Sequence, residues 1–481
     1  MLVILGFGMV AVFMALIMTK RMTPVLALIV VPTIFGLFAG AGLGIGEMAL
    51  DAIGGLAPTA ALLMFAIIYF GVMIDVGLFD PIVRLILRIA GNDPVKVVVG
   101  TALLAAVISL DGDGSTTFIV TTSALLPIYL RLGLSPVVLT CVAGLANGVM
   151  NILPWGGPTA RAAAALDLQA SDVFVPMIPS MLAGIAVVFL FAWHLGILER
   201  RRLGGDIDAS VVGGASGSTG SAGSGGRSGG RGSRSGGPRG VVIADHRIST
   251  ESIRTLVDDH DTAMADTALD PTRATLRPKL LWFNAALTVA VMVLLVLDIL
   301  PLAYIFMAAS AIAILVNFPR VKDQAERVVA HAPSIVGVVS MVLAAGVLIG
   351  VLEGTGMVSA MAEWVSASIP SSLGAFSAVI TGLLSMPMTF FLSNDAFYFG
   401  ILPVLAESAA TFGVDPVDMA RASITGQVVH MQSPLVPAIL LLVSLAGVNL
   451  GDHHKKVLWR AVVVSLVMLL VAVLIGAVGI G

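Results

Sequence analysis

The sequence predicts an all-α polytopic membrane protein, an inverted-topology repeat of five transmembrane helices plus one re-entrant hairpin per half. Three observations carry that reading. Of 481 residues, 58% are hydrophobic and only 11% are charged, with mean hydropathy +1.02; an ordinary soluble domain has about 25% charged residues. Apolar blocks of about 20 residues recur along the chain, each long enough for the ~30 Å hydrocarbon layer of a bilayer. One further apolar block in each half is broken by a polar cluster. A soluble enzyme is excluded, and continuous apolar runs rule out a β-barrel.

In order, the periodicity predicts helices at 2–18, 22–40, 58–77, 137–160 and 174–196, then at 280–298, 301–318, 334–353, 418–447 and 458–480. Between the third and fourth helix of each set lies a predicted hairpin, at 97–130 and 373–405. Non-helical backbone at membrane depth is tolerated only against protein or a wet cavity. No basic residue precedes the first run, and Lys20 and Arg21 follow it, as suits a transmembrane helix rather than a signal peptide. The other basic residues (Arg84, Arg88, Lys96, Arg200–Arg202, Arg320, Lys322, Arg327, Lys455, Lys456) fall on the same side of this helix count. The positive-inside rule puts that side in the cytoplasm and both termini outside. A multi-pass protein of the cell inner (cytoplasmic) membrane is expected. The single cysteine, Cys141, leaves no disulfide or cysteine-metal framework.

Three regions follow: a first transmembrane repeat at 1–198, a hydrophilic linker at 199–278 and a second repeat at 279–481. The linker's Gly/Ser/Arg-rich first half cannot form a core and reads as a flexible cytoplasmic tether. Its arginines could meet anionic lipid; no nucleic-acid partner is expected. The repeats echo each other in sequence. Gly133, Pro136, Asn147 and Pro154 correspond to Gly413, Pro416, Gln427 and Pro434 at a constant offset, beyond Leu126-Pro127 and Leu402-Pro403. An odd number of crossings per half inverts the second half, the architecture of many secondary transporters, whose broken segments meet near the midplane around the substrate.

Candidate residues cluster at those breaks. The first tip reads Asp111-Gly-Asp113-Gly-Ser115-Thr116-Thr117. Ser115, Thr116 and Thr117 start a helical arm, where backbone N–H groups and the dipole favour an anion. Asp111 and Asp113 oppose an anion alone but suit one carrying Mg²⁺ or Ca²⁺, which prefer oxygen ligands; helix capping is the competing reading. The second tip offers Ser393 and Asn394 as donors and Asp395 as a further negative centre, and the same trio is an ordinary N-cap cluster. Behind each tip a Pro/Gly-interrupted helix adds Asn147, Asn151 and Thr159, and Gln427, Gln432 and Ser433. His430, the one histidine placed in the membrane core, has a titration range suited to proton coupling, as do Asp113 and Asp395 if burial favours their protonated forms; His430 reads equally as structural. Arg161 and Arg421, near helix ends, could attract an anionic substrate, but snorkelling to headgroups is the simpler expectation for both; Asp298 and Glu353 are expected to be interfacial.

These runs (Asp111–Phe118, Asn151–Thr159, Leu392–Gly400 and His430–Pro434) resemble the citrate–divalent metal–proton symporter family, CitMHS, of the ion transporter superfamily. Sodium–dicarboxylate members are more distant, with Ser-Asn-Thr at both tips where this chain has Ser393-Asn394-Asp395 and an aspartate-rich first tip. The resemblance implies proton-driven symport of citrate complexed with Mg²⁺ or Ca²⁺, with Asp111, Asp113 and Asp395 towards the metal, no tightly bound cofactor, and a homodimer in lipid moving its site by an elevator motion. A proton- or sodium-coupled carrier of another di- or tricarboxylate without metal is the alternative, and an anion channel a second.

Overall fold

The computed structural model describes residues 1–19, 21–112, 114–213, 273–297, 299–368 and 370–479, and every regular element in them is helical. Most of the expected linker (214–272), Asp113 and Asp298 lie outside the described residues.

The first part runs α1 (Leu2–Met18), α2 (Pro24–Phe38), α3 (Ile45–Asp75), α4 (Asp80–Ala90), α5 (Pro94–Ile108), a 3₁₀ turn (Ser109–Asp111), α6 (Gly114–Leu132), α7 (Pro136–Met150), α8 (Gly157–Ala165), α9 (Ala170–Phe174) and α10 (Ile178–Gly213). The second runs α11 (Leu281–Leu297), α12 (Leu302–Asn317), α13 (Val321–Ala330), α14 (Ala332–Gly354), α15 (Met357–Ser368), α16 (Ser371–Gly374) and α17 (Ser377–Phe391). A π turn (Ala396–Ile401), α18 (Leu402–Ala410), α19 (Pro416–Ile424), α20 (Gln427–His430), α21 (Pro437–Leu445) and α22 (Leu450–Leu474) complete it. Among the described residues six helical spans are long and apolar enough to cross a bilayer, and shorter apolar helices accompany them. The protein is an all-α multi-pass membrane protein.

Prolines open α5, α7, α19 and α21, where the missing N–H costs no ladder bond. Asp93 and Asp415 cap two of these starts by accepting from the Val95 and Val417 amides, each at 2.9 Å. Asp93 also takes the Arg200 guanidinium at 2.6 Å, tying α5 to α10.

Several boundaries differ from the sequence reading. The third helix begins at Ile45 rather than 58, because Gly54, Gly55 and Pro58 do not break it; membrane helices tolerate such residues where neighbours re-satisfy the backbone. The last helix begins at Leu450, capped by the Asn449 side chain on the Gly451 amide at 2.8 Å, and ends at Leu474. Helices α4, α13 and α15 stand where no element was expected. Their mixed composition reads as loop by hydropathy, yet α4 buries Val83, Ile86 and Ala90 on one side.

Helix α14 carries Gly346, Gly350 and Gly354, a four-residue repeat of small residues that lets helix backbones approach closely. It lies against α3. A β-carbon on Gly346 would stand 2.6 Å from the Ile53 side chain, and one on Gly350 would run into the Met48 carbonyl. The far end of α3 is held by polar groups. Asp75 receives Arg327 from α13 and His331 beside α14, each at 3.2 Å. Arg273 donates to the Ile74 and Asp75 carbonyls at 3.1 and 3.0 Å, so the chain re-enters the described structure by capping α3.

Gly350→Val is expected to overpack the α3–α14 contact and destabilise the protein by about 1–3 kcal/mol. Gly46→Ala, which would meet nothing within 4 Å, should cost nothing. Thermal unfolding of the purified variants checks both.

Candidate functional site

Two pairs of broken segments build the site. At the first tip the 3₁₀ turn ends at Asp111, and Gly112 adopts φ +81°, which L side chains rarely adopt. Glycine is required there twice over, because a β-carbon would stand 3.0 Å from Trp155 Cδ1. Trp155 lies in the irregular stretch 151–156 between α7 and α8, and its indole N–H donates to the Leu110 carbonyl at 2.9 Å. Thus the first break sits on the first tip. Ser115, Thr116 and Thr117 occupy the first turn of α6 and are buried. The Asn147 amide donates to Ser109 Oγ at 2.9 Å, and Ser109 Oγ lies 3.1 Å from Thr117 Oγ1, stitching the tip to α7.

At the second tip Ser393 Oγ accepts from the Ala396 amide at 3.2 Å, the N-cap arrangement. Asp395 is paired across the molecule. Arg161 Nε of α8 donates to its Oδ1 at 2.6 Å, with the two side chains 19% and 9% exposed. This corrects the expectation for Arg161. A guanidinium with a buried carboxylate partner has no reason to reach the headgroups, and here it joins the first break to the second tip. Arg421 donates to the Asp172 carbonyl at 2.8 and 3.1 Å and to the Ala477 carbonyl at 3.2 Å.

The second break, between α19 and α21, is sewn to its surroundings. His430 Nδ1 lies 2.6 Å from the Thr389 carbonyl, and Ser433 Oγ donates to the Phe390 carbonyl at 2.6 Å. Gln432 Nε2 donates to the carbonyls of Gly144 and Val428 at 3.0 and 3.1 Å, which fixes the amide and leaves Oε1 accepting from His453 Nε2 at 3.2 Å. Thr159 Oγ1 likewise donates to the Ile152 carbonyl at 2.6 Å. Thr159, Gln432 and Ser433 are therefore occupied in holding the breaks. Asn147 Oδ1, Asn151 Oδ1, Asn394 Oδ1 and both Gln427 amide atoms are buried without a partner among the described residues. Such atoms are costly unless water or a ligand meets them.

A cavity of about 480 Å³ opens beside the first tip, within the range for small-molecule sites. Asp111, Gly112, Trp155, Gly157, Ala160 and Arg161 form one wall, and residues of α3 and α14 form the other. Its lining thus holds one carboxylate and one guanidinium. Of the candidates named from sequence, among the described residues only Asp111 lines it; Ser115–Thr117, Asn147, Asn151 and Gln427 lie deeper in the packing of the broken helices. Among the described residues no group of three or more His, Cys, Asp or Glu is arranged to hold a metal ion.

Sequence reasoning set one residue aside here and missed another. Arg161 is the only Arg or Lys between Arg131 and Arg200, and a lone cation inside so long an apolar stretch was the available signal. His453 was placed in a loop beyond the membrane core. It is fully buried on α22, with Nδ1 3.1 Å from Thr140 Oγ1 and Nε2 on Gln432.

The site defines a class, a polytopic membrane protein with two interrupted helix pairs and a cavity beside the first of them lined by a carboxylate and a guanidinium. The CitMHS family pattern, described as citrate transporter, matches residues 5–426, and the chain belongs to that family. It is 47% identical to a Bacillus subtilis (strain 168) protein named "Citrate transporter", over 99% of each chain. It is 42% identical to that organism's "Mg(2+)/citrate complex secondary transporter", over the whole of both chains, and 42% identical to its "Uncharacterized transporter YraO", over 99% of both.

Trp155→Phe keeps the ring and removes the bond to the Leu110 carbonyl. It should lower stability by about 1 kcal/mol and speed amide exchange around Gly112, as read by thermal unfolding and hydrogen exchange.

Proposed function

We propose that the protein is a secondary carrier that moves citrate as its complex with a divalent metal, together with protons, across the cytoplasmic membrane. The cavity carries this reading. It is the right size for a small polycarboxylate, and its lining sets Asp111 for the cation against Arg161 for a carboxylate. A metal–citrate complex presents both signs at once, and free citrate presents only one. The relative named for the Mg²⁺/citrate complex agrees with that charge pattern.

The same reading makes the chain an inverted repeat, 1–198 against 279–481 across the 199–278 linker, with both termini outside and a hairpin in each half. Two contacts favour it. Asn151 Nδ2 donates to Met431 Sδ at 3.0 Å, and a β-carbon on Gly148 would stand 2.9 Å from Val428 Cα. Both pairs join residues at the 280 offset that relates Asn147 to Gln427, so equivalent positions touch where α7 crosses α20, as on a two-fold axis. In this orientation the cavity, walled by the later half of α3 and the first half of α14, faces the cytoplasm. Asp111 and Asp113 serve the metal; Asp395, expected from sequence to join them, is held by Arg161 and does not line the cavity, so it is left out of that set. The buried amides of Asn147, Asn151, Asn394 and Gln427, with Ser115–Thr117 and Ser393, meet the carboxylates and hydroxyl when the tips rearrange. Asp395 and His430 lie in the proton path, and the carrier works as a homodimer.

Labelled-citrate uptake into proteoliposomes tests this. Uptake should require Mg²⁺ or Ca²⁺ and rise with an inward proton gradient, and Asp111→Asn should depress metal-dependent uptake at least about tenfold. Equal uptake under chelation would instead favour a metal-independent carboxylate carrier.

A further inference from the structure

We infer that Arg161 is a shared cation: it holds Asp395 in the empty carrier and a substrate carboxylate in the loaded one, so that binding cargo forces Asp395 to take up a proton. The inference rests on the carboxylate-carrier reading above and adds the residue exchange that couples the two substrates.

The geometry supplies the elements of an exchange. Among the described residues Arg161 is the one cationic side chain lining the cavity, so an anion entering there meets no other described guanidinium or ammonium. Its Nε is on Asp395 Oδ1 at 2.6 Å and its Nη1 on the Gly157 carbonyl at 3.0 Å, which leaves Nη2 without a protein acceptor among the described residues. Asp395, by contrast, does not line the cavity. The guanidinium therefore stands between an internal carboxylate and the space where an external one arrives. Guanidinium–carboxylate bonds are directional and strong, and one guanidinium cannot give its best geometry to both.

Once a substrate carboxylate takes Arg161, Asp395 is left with a buried, uncompensated charge, which is strongly unfavourable. Among the described residues the surroundings offer no permanently charged replacement cation. Across from it α8 contributes only Arg161. On the second break His430 has its Nδ1 2.6 Å from the Thr389 carbonyl, which leaves Nε2 as the other atom that could take the proton; undiminished proton uptake in the Asp395→Asn variant below would report that route. Helices α1 and α17 carry no charged side chain. On α18 Glu407 accepts from Ser359 Oγ at 3.3 Å, and on α14 Glu353 lines a separate cavity with Asp51 and Asp167. The remaining titratable group on the π turn is the Tyr398 phenol, 3.4 Å from the Ser423 carbonyl. The available compensation is a proton from the water in contact with the cavity: it converts the Asp395 carboxylate to the acid on loading, and returns to water when cargo leaves and the Arg161 pair re-forms.

The test is Mg²⁺–citrate binding to the purified full chain in nanodiscs, with protons followed in lightly buffered solution. Wild type should take up about one proton per complex bound. Arg161→Gln should weaken binding at least about tenfold. Asp395→Asn, with no rival for Arg161, should bind several-fold more tightly and take up no proton. Because Arg161→Gln leaves Asp395 unpaired, the neutral double variant Arg161→Gln/Asp395→Asn guards against misfolding; it should elute as wild type and bind poorly. Wild-type affinity in either Arg161 variant, or undiminished proton uptake in Asp395→Asn, would overturn the exchange. Succinate and tricarballylate without metal are titrated alongside. If wild type binds one of these and not Mg²⁺–citrate, the cargo assignment fails and the same variants judge the exchange on that acid. If it binds none, both fail.

Discussion

Backbone that leaves the helix inside a hydrocarbon layer has no water to bond to, and the rest of this structure depends on meeting that demand with protein. The interruptions are closed by neighbours near and distant in sequence. The first tip is held by Trp155 on the Leu110 carbonyl, and the break containing Trp155 is braced by Thr159 on the Ile152 carbonyl. The second break leans on its hairpin arm through His430 and Ser433, and on α7 through Gln432 and Gly144. The weak points thereby become one assembly, and the first tip and first break, which cannot stand alone, form one wall of the cavity.

Such an assembly suits a carrier because its charges are few and matched. The cavity wall exposes Asp111 and Arg161, and Arg161 is already engaged by Asp395 from the other half of the chain. A pair of this kind stabilises little for its burial, yet it decides what happens when a second anion arrives. The buried amides of Asn147, Asn151 and Gln427 are a related feature: polar atoms left without protein partners at the crossing of α7 and α20.

Much of this was legible in the sequence. The two tips, the two Pro/Gly breaks and the constant offset between halves are written in residue type and spacing, and local chemistry decides them. Three things were not. Amphipathic helices such as α4 have the composition of loops, so hydropathy passes over them. Helix α3 begins early because its first turns, at Met48 and Ile53, pack on α14, whose glycines lie about 300 positions further on. Arg161 could be seen as a lone cation, but its partner is 234 residues away, and no spacing rule reaches that far. The same holds for His453, which acquires its role only when Thr140 and Gln432 close on it.

The central claim is that the cavity beside the first tip is where cargo binds, and the most direct measurement is protection of its wall. Cys141 is buried and is the chain's one cysteine, so Cys141→Ala supplies the background for Ala160→Cys, a position on that wall. Labelling by a membrane-impermeant thiol reagent is followed in oriented vesicles. The account predicts labelling from the cytoplasmic side that Mg²⁺–citrate slows at concentrations that saturate uptake. Labelling at a rate indifferent to Mg²⁺–citrate, in vesicles that still transport it, would place the cargo elsewhere and contradict the account.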